Sequence, residues 1–227
     1  MLSIIATLFS GGKDSTLALH KAYALGIKTD LLITFKPENP YSYMFHKINI
    51  DLTALQAEAL GMKHEMFATN GEKELELVDL KNALLKNEVK VLITGALASD
   101  YQRSRIESMC KDLGIEHMAP LWHMDPEEEL REISKDYNAI VTQVSAEGLD
   151  DSFLGRRIDD AMIQRLKEIN RRYRINMVFE GGEAESFVLD GPLFSKRIEI
   201  VRSHTTWDGR TGQYVIDDAA LKDKHND

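Results

Sequence analysis

Six consecutive residues carry the strongest chemical signal in the chain: Ser10-Gly11-Gly12-Lys13-Asp14-Ser15. They follow an apolar strand and open a helix. Two glycines let a backbone turn tightly and approach a ligand closely. Successive N–H groups then face one concavity, a nest for an anion, and the helix N-terminus adds donors and a favourable dipole. Ser10 and Ser15 can donate hydroxyl hydrogen bonds, and Lys13 can add a charge-assisted contact. Asp14 suits either a metal ligand or complementation of the helix dipole, and the two roles are compatible. The chemistry is phosphate binding, with Ser10, Gly11, Gly12, Lys13, Asp14 and Ser15 as candidates. A P-loop is excluded, because Thr7 stands where its first glycine belongs and Asp14 where Ser or Thr should follow the lysine. A dinucleotide loop is excluded because the glycines are adjacent.

Two further segments hold polar chemistry. In Gly95–Arg105, Ser99 is a good helix N-cap and Asp100 a good first-turn residue. Tyr101, Gln102 and Arg103 crowd the same turn, and Arg103 or Arg105 could clamp a carboxylate or phosphate in a forked contact. In Glu180-Gly181-Gly182-Glu183-Ala184-Glu185-Ser186, three carboxylates flank a flexible turn. Such a group suits magnesium, a quaternary ammonium or an incoming ammonium ion. Glu183 and Glu185 alternate, so one face of an extended segment carries both.

The elements that must position these residues alternate regularly in the first half. Strands are expected at Leu2–Phe9, Asp30–Phe35, His64–Phe67, Lys90–Thr94 and Ile115–Met118. Helices are expected at Lys13–Leu25, Asp51–Leu60, Glu72–Lys86 and Ser99–Leu113, three of them closed by Gly26, Gly61 and Gly114. This is the pattern of an α/β doubly wound parallel sheet, with ligands at the carboxyl edge of the strands. The second half differs, with helices at Pro126–Lys135 and Ile158–Tyr173. Its strands are expected at Ala139–Val144, Phe187–Leu189, Arg197–Arg202 and Gln213–Ile216. A boundary within Leu121–Asp125 gives domains at 1–122 and 123–227, the second a smaller α+β domain.

The chain has 227 residues, 43% of them hydrophobic and 29% charged, and a net charge of -9. That charge argues against a nucleic-acid footprint. One cysteine, Cys110, rules out an internal disulfide and disfavours a cysteine-built zinc site. The amino-terminal residues lack the pattern of a secretory leader, and no apolar run is long enough to cross a bilayer. The expected location is the cytoplasm, with no membrane or nucleic-acid partner and with homo-oligomerisation left open.

The loop resembles the PP-loop of the ATP pyrophosphatases, a Rossmann-like adenylating superfamily. The resemblance implies ATP cleavage between the α and β phosphates, with Mg2+ on the phosphates and Asp14 as its ligand. A single thiol argues against the sulfur-transferring members. Several segments together resemble the diphthine–ammonia ligase family: Ser42-Tyr43-Met44-Phe45-His46, Gly95–Arg105, Ala119-Pro120-Leu121-Trp122, Glu147-Gly148-Leu149-Asp150 with Leu154-Gly155-Arg156, and Glu180–Asp190. The chain departs from that pattern at Phe179, where a glycine usually precedes the acidic turn, and at Ala184, where an aromatic is common.

The resemblance implies an AMP-forming C–N ligase that converts diphthine on elongation factor 2 to diphthamide with ammonium. In that scheme an acyl-adenylate forms with release of pyrophosphate, and ammonia displaces AMP. Thr34, Met44, His46 and Gly95 join the loop in holding ATP. Lys13, Asp14, Glu183 and Glu185 are the catalytic candidates. Ser99, Asp100, Tyr101, Gln102, Arg103, Glu180, Gly181, Gly182 and Glu183 are the substrate-binding candidates. Two other readings share parts of these features: an amide ligase for a small carboxylate cofactor precursor, and an adenine-nucleotide sensor without turnover.

Overall fold

A short run of Ile4–Leu8 flanked by turn residues can satisfy its backbone only by pairing on both sides, and it does so at the centre of a sheet. The structure is a computed structural model that describes residues 3–38, 48–95 and 100–224, and for residues 73, 74 and 100–102 the backbone only. The chain divides into two compact units. The first comprises Met1–Ser10, Asp14–Glu58 and Met62–Trp122, and the second Gly11–Lys13, Ala59–Gly61 and His123–Asp227.

In the first unit the order is β1 (Ile4–Leu8), α1 (Lys13–Ala24), β2 (Leu31–Pro37), α2 (Thr53–Leu60), β3 (Lys63–Thr69), α3 (Lys73–Lys86), β4 (Val89–Ile93), α4 (Asp100–Leu113) and β5 (Glu116–Met118). The strands form a five-stranded sheet in the order β3-β2-β1-β4-β5. Every pairing in it is parallel. This is the Rossmann-like α/β sheet expected from the alternation. Its strand order reverses between β1 and β4, so the turns leaving those two strands flank the crevice where such sheets bind ligands. β2 is buried along nearly its whole length, as a strand covered on both faces must be. Ile33, Phe35, Leu80, Leu84, Leu92, Ile106 and Cys110 form a core cluster in this unit.

The second unit holds α5 (Pro126–Asp136), β6 (Asn138–Val144), α6 (Asp160–Tyr173), β7 (Ala184–Asp190), β8 (Lys196–Trp207) and β9 (Gly212–Asp223). Its four strands run in the order β7-β6-β9-β8, all antiparallel. The side chain of Asp125 caps α5 by accepting from the N–H groups of Glu127 and Glu128, with Pro126 in the first turn. Asp159 caps α6 by accepting from Met162.

β8 and β9 are each 12 residues long and pair from Lys196↔Asp223 to Trp207↔Gly212. The expected strands Arg197–Arg202 and Gln213–Ile216 are far too short. β8 is exposed along most of its length, so cross-strand pairing rather than a buried face sustains it, and hydrophobic periodicity underestimates it. The hairpin turn is fixed by Asp208, whose Oδ1 accepts from the backbone N–H groups of Arg210 and Thr211 at 2.8 and 2.7 Å. β7 also begins earlier than expected, at Ala184, so Glu185 and Ser186 lie within a strand. Among the described residues, no helix is long and apolar enough to cross a membrane.

Cys110 is 1% exposed. Burial, with the negative charge of Glu107 adding to it, pushes its thiol up to about 11. Near pH ~8 only roughly one molecule in a thousand then carries the reactive thiolate. Alkylation of Cys110 should therefore be negligible in the folded protein and rapid in denaturant. Fast modification under native conditions, followed by mass spectrometry, would contradict the packing described.

Candidate functional site

The turn leaving β1 is anchored before it starts. The N–H of Phe9 donates to the carbonyl of Ile33 at 2.8 Å. The carbonyl of Phe9 accepts from Thr34 Oγ1 at 2.6 Å. Thr34 Oγ1 in turn lies 2.9 Å from His64 Nε2. The Thr34 hydroxyl has one hydrogen and spends it on Phe9, so His64 Nε2 must be the donor. Thr34 is an expected contact of the nucleotide. Its side chain is instead fully buried, and its hydroxyl is engaged on both sides in holding the strand end. A similar pair lies across the sheet, where His117 Nε2 and Thr94 Oγ1 are 2.9 Å apart.

The loop then closes on itself. The N–H of Ser10 donates to Ser15 Oγ at 3.3 Å, and the two hydroxyl oxygens are also 3.3 Å apart. Gly11 takes φ 76°, the left-handed region where a side chain is strained. Asp14 sits in the first turn of α1, where a carboxylate complements the dipole. Gly95 follows the end of β4. A Cβ there would meet the carbonyl carbon of Asp14 and the nitrogen of Ser15, each at 2.9 Å. Glycine at 95 thus lets the β4 turn pack against the first turn of α1.

Lys13 is held within the second compact unit. Its Nζ donates to the carbonyl of Val178 at 2.6 Å and to Glu129 Oε1 at 3.0 Å. The side chains of Lys13 and Glu129 are 1% and 4% exposed. The ammonium also lies 5.7 Å from the centroid of the Phe179 ring. The backbone N–H of Lys13 donates to Ser186 Oγ at 3.1 Å, and the carbonyl of Gly11 accepts from the N–H of Val188 at 2.9 Å. Sequence reasoning missed Glu129, because Glu127-Glu128-Glu129 reads as dipole complementation at a helix start. The available signal was spacing. Glu129 shares the buried stripe of α5 with Leu130, Ile133 and Ser134, where an unpaired carboxylate is costly.

The acidic turn is braced by its own carboxylate. Glu183 Oε1 accepts from the N–H of Asn176 at 2.8 Å, and Oε2 from the N–H of Gly181 at 2.8 Å. Asn176, also missed in the sequence, accepts from the N–H of Val178 at 3.0 Å through its side chain. Its amide nitrogen donates to Glu180 Oε2 at 3.4 Å. The carbonyl of Gly182 accepts a hydrogen bond from Ser145 Oγ. Phe179 takes φ 67°, a left-handed conformation uncommon for an aromatic residue. Strand alternation places Glu185 on the face of β7 opposite Ser186. Glu183 lies in the turn and Glu185 in the strand.

In the Gly95–Arg105 segment, Arg103 is tied to its own helix and to a neighbouring ring. Its Nε donates to Glu107 Oε1 at 2.5 Å, and its guanidinium lies 4.0 Å from the centroid of the Trp122 ring. Arg103, one of the two arginines expected as an anion clamp, is thus paired along its own helix and stacked on an aromatic. The backbone of Asp100, Tyr101 and Gln102 lies in α4, and their side chains fall outside the described residues. Met44, His46 and Ser99 also fall outside them. Asp14 is the expected metal ligand. Among the described residues, no group of three or more His, Cys, Asp or Glu side chains could hold a metal ion.

Comparison with known proteins matches both halves of the chain. The family model described as diphthamide synthase N-terminal domain matches residues 3–117, and that described as diphthamide synthase C-terminal domain matches residues 125–221. The chain belongs to the diphthamide synthase family. It is 35% identical over 218 residues to a human protein named diphthine–ammonia ligase, covering 86% of this chain and 81% of that one. A Schizosaccharomyces pombe protein of the same name is 31% identical over 240 residues, covering 96% of this chain and 39% of that one. A solved structure described as a predicted subunit of tRNA methyltransferase from Methanocaldococcus jannaschii aligns at 16% identity. Its TM-score is 0.45, and the alignment covers 84% of this chain and 98% of that one.

Two outcomes follow from the geometry. Gly95→Ala forces a methyl into backbone at 2.9 Å, and overpacking of this kind costs about 1–3 kcal/mol. Thermal unfolding should show a lowered midpoint, and an unchanged midpoint would contradict the close approach. Burial holds His64 and His117 below the ordinary imidazole value of 6.5. For His117 the nearby Glu107 partly opposes this and Arg103 adds to it. Depressed imidazoles contribute stability in full above the ordinary value and lose it as pH falls from there towards the lowered values. The unfolding midpoint should drop over that window, and less steeply in a His64→Gln/His117→Gln variant. Identical slopes in the two proteins would count against the assignment.

Proposed function

We propose that this chain is an AMP-forming diphthine–ammonia ligase acting on diphthine of elongation factor 2, with ATP and ammonium as co-substrates. The observation that carries the reading is the match of both domain models in order along the chain, at residues 3–117 and 125–221. The relatives named diphthine–ammonia ligase support it, the human one at 35% identity over most of both chains. The phosphate-type loop supports it independently, since it leaves β1 beside the point where the strand order reverses.

In this reading the Ser10–Ser15 loop receives the phosphates of ATP through its N–H groups, the start of α1 and the serine hydroxyls. The loop's donor set fits a polyphosphate. Asp14 beside it suits Mg2+, which takes one or two carboxylates and completes its shell with phosphate oxygens and water. Mg2+ would supply charge neutralisation there, held on the protein side by Asp14. The substrate carboxylate attacks the α-phosphate to give an acyl-adenylate and pyrophosphate, and ammonia then displaces AMP. The chain contributes placement and charge, which carry most of the acceleration in phosphoryl chemistry. Lys13 fixes a cation at the loop. The Glu180–Glu183 turn offers negative charge to a trimethylammonium or ammonium group, and Glu183 shapes that turn through its two backbone hydrogen bonds. Thr34 and His64 hold the loop's origin rather than the base.

Labelled ATP incubated with the protein, magnesium and ammonium tests the reading. AMP and pyrophosphate should appear only when diphthine-bearing elongation factor 2 is added, and diphthamide should form on it. Lys13→Ala should lower AMP formation by about 100-fold or more, with folding checked by circular dichroism. AMP released without the protein substrate would move the carboxylate to a small acid. Bound ATP with no AMP under any condition would make the chain a nucleotide sensor.

A further inference from the structure

We propose that Glu129 is a positioning residue for this reaction, acting through Lys13. The inference rests on the reading that the Ser10–Ser15 loop takes the phosphates of ATP. Glu129 and Lys13 form an ion pair at 3.0 Å with side chains 4% and 1% exposed. Water is excluded from both, so neither charge is screened. Burying such a pair is costly, and replacing one with apolar residues is often neutral or stabilising. Glu129 occupies the stripe of α5 otherwise formed by Leu130 and Ile133, where an apolar residue would satisfy the packing. Stability alone therefore gives no reason for the pair as a whole, although with Lys13 in place the loss of Glu129 alone would leave a buried ammonium uncompensated. What the carboxylate does supply is a fixed location for one ammonium group.

The rest of the surroundings points the same way. Lys13 Nζ is held by a second acceptor, the carbonyl of Val178 at 2.6 Å. That carbonyl immediately precedes Phe179, whose φ of 67° is a strained backbone state for an aromatic. The Phe179 ring faces the ammonium at 5.7 Å, within reach of a cation–π attraction. An anion, a carbonyl and an aromatic ring thus surround one cation, while the backbone of the same lysine is tied to Ser186 Oγ at 3.1 Å. The arrangement fixes both the lysine head and the loop backbone from which it springs. Strain persists only where surrounding structure over-determines it, and it gathers at functional positions.

The chemical consequence is specific. A misplaced loop loses alignment of the reacting atoms more than it loses contacts to the bound nucleotide. Glu129→Gln keeps the shape and an acceptor oxygen but removes the charge. It should lower kcat for AMP formation by about 10- to 100-fold. The Kd for ATP should not weaken, because the phosphates then meet a cation no longer neutralised by its partner. Glu129→Asp restores the charge one methylene short, so its kcat should lie between those of the wild type and Glu129→Gln.

The experiment measures kcat with saturating ATP, ammonium and diphthine-bearing elongation factor 2, ATP affinity by titration, and the thermal midpoint of each variant. The order wild type, Glu129→Asp, Glu129→Gln in kcat, with ATP affinity held, supports the inference. A wild-type rate in Glu129→Gln overturns it, as does a parallel loss of ATP affinity and thermal midpoint that Glu129→Asp does not relieve. If Glu129→Gln does not fold, Glu129→Asp carries the test alone: a fall of about threefold or more at unchanged midpoint supports it, and a wild-type rate overturns it. Wild-type protein that makes no AMP overturns the functional reading and this inference with it. Wild-type turnover together with an unaffected Glu129→Gln overturns this inference alone.

Discussion

A parallel sheet cannot join neighbouring strands by tight turns; each connection must cross a face of the sheet and return. If crossovers are to cover both faces, the strand order must reverse somewhere, and in the first unit it reverses between β1 and β4. At that point the turns after two neighbouring strands lead into crossovers on opposite faces of the sheet, and a crevice opens between them. Most of the first unit's polar chemistry follows from this. The Ser10–Ser15 loop leaves β1, and Gly95 leaves β4. The close approach of Gly95 to Asp14 and Ser15, at 2.9 Å for an added Cβ, is the steric expression of two turns sharing one place. The histidine–threonine pair that ends on the carbonyl of Phe9 is its hydrogen-bonding expression. The loop is held from both ends, by the strand behind it through Phe9 and by the bonds that Gly11 and Lys13 make beyond it.

The helical and parallel parts of the fold were legible because they rest on local rules. Strand–helix alternation, glycine stops at Gly26, Gly61 and Gly114, and capping at the start of α5 are set by residues within a few positions of one another. The β8–β9 hairpin was only half legible. Its strands are sustained by pairing along 12 residues each, with little burial on β8, so the alternation used to find strands is weak there. The loop was legible because its glycines, lysine and hydroxyls are consecutive. Glu129 and Asn176 were not, because each acquires its role from a residue distant in sequence, Lys13 for one and the turn approaching Glu183 for the other. Thr34 belongs to the expected neighbourhood but plays a different part in it, because a threonine on a fully buried strand has its hydroxyl spent internally before any ligand arrives.

The acidic turn shows why composition alone misleads about carboxylates. Three glutamates around Gly181-Gly182 look like equivalent donors for a cation. In the fold their situations differ. Glu183 has both oxygens on backbone N–H groups, which makes it a structural element of the turn. Glu185 lies in β7, on the face opposite Ser186. Glu180 remains in the turn, in contact with the Asn176 amide at 3.4 Å. With both oxygens occupied by the N–H groups of Asn176 and Gly181, Glu183 fixes the course of the turn.

The same distinction applies to Lys13. A phosphate-loop lysine is ordinarily thought of as a free charge that follows the ligand, and its long flexible stem suits that role. Here the stem is buried, and the head is bound to Glu129 and to the carbonyl of Val178. Its contribution is then geometric before it is electrostatic. The charge stands in a defined place, and the loop is drawn to it through the backbone bond from Lys13 to Ser186. Phe179 belongs to the same arrangement. A glycine at that position would reach the left-handed conformation without strain, whereas phenylalanine supplies a ring against the ammonium at the cost of that strain. A residue that breaks a local backbone rule while completing the surroundings of a buried charge is best understood as part of the cation's setting.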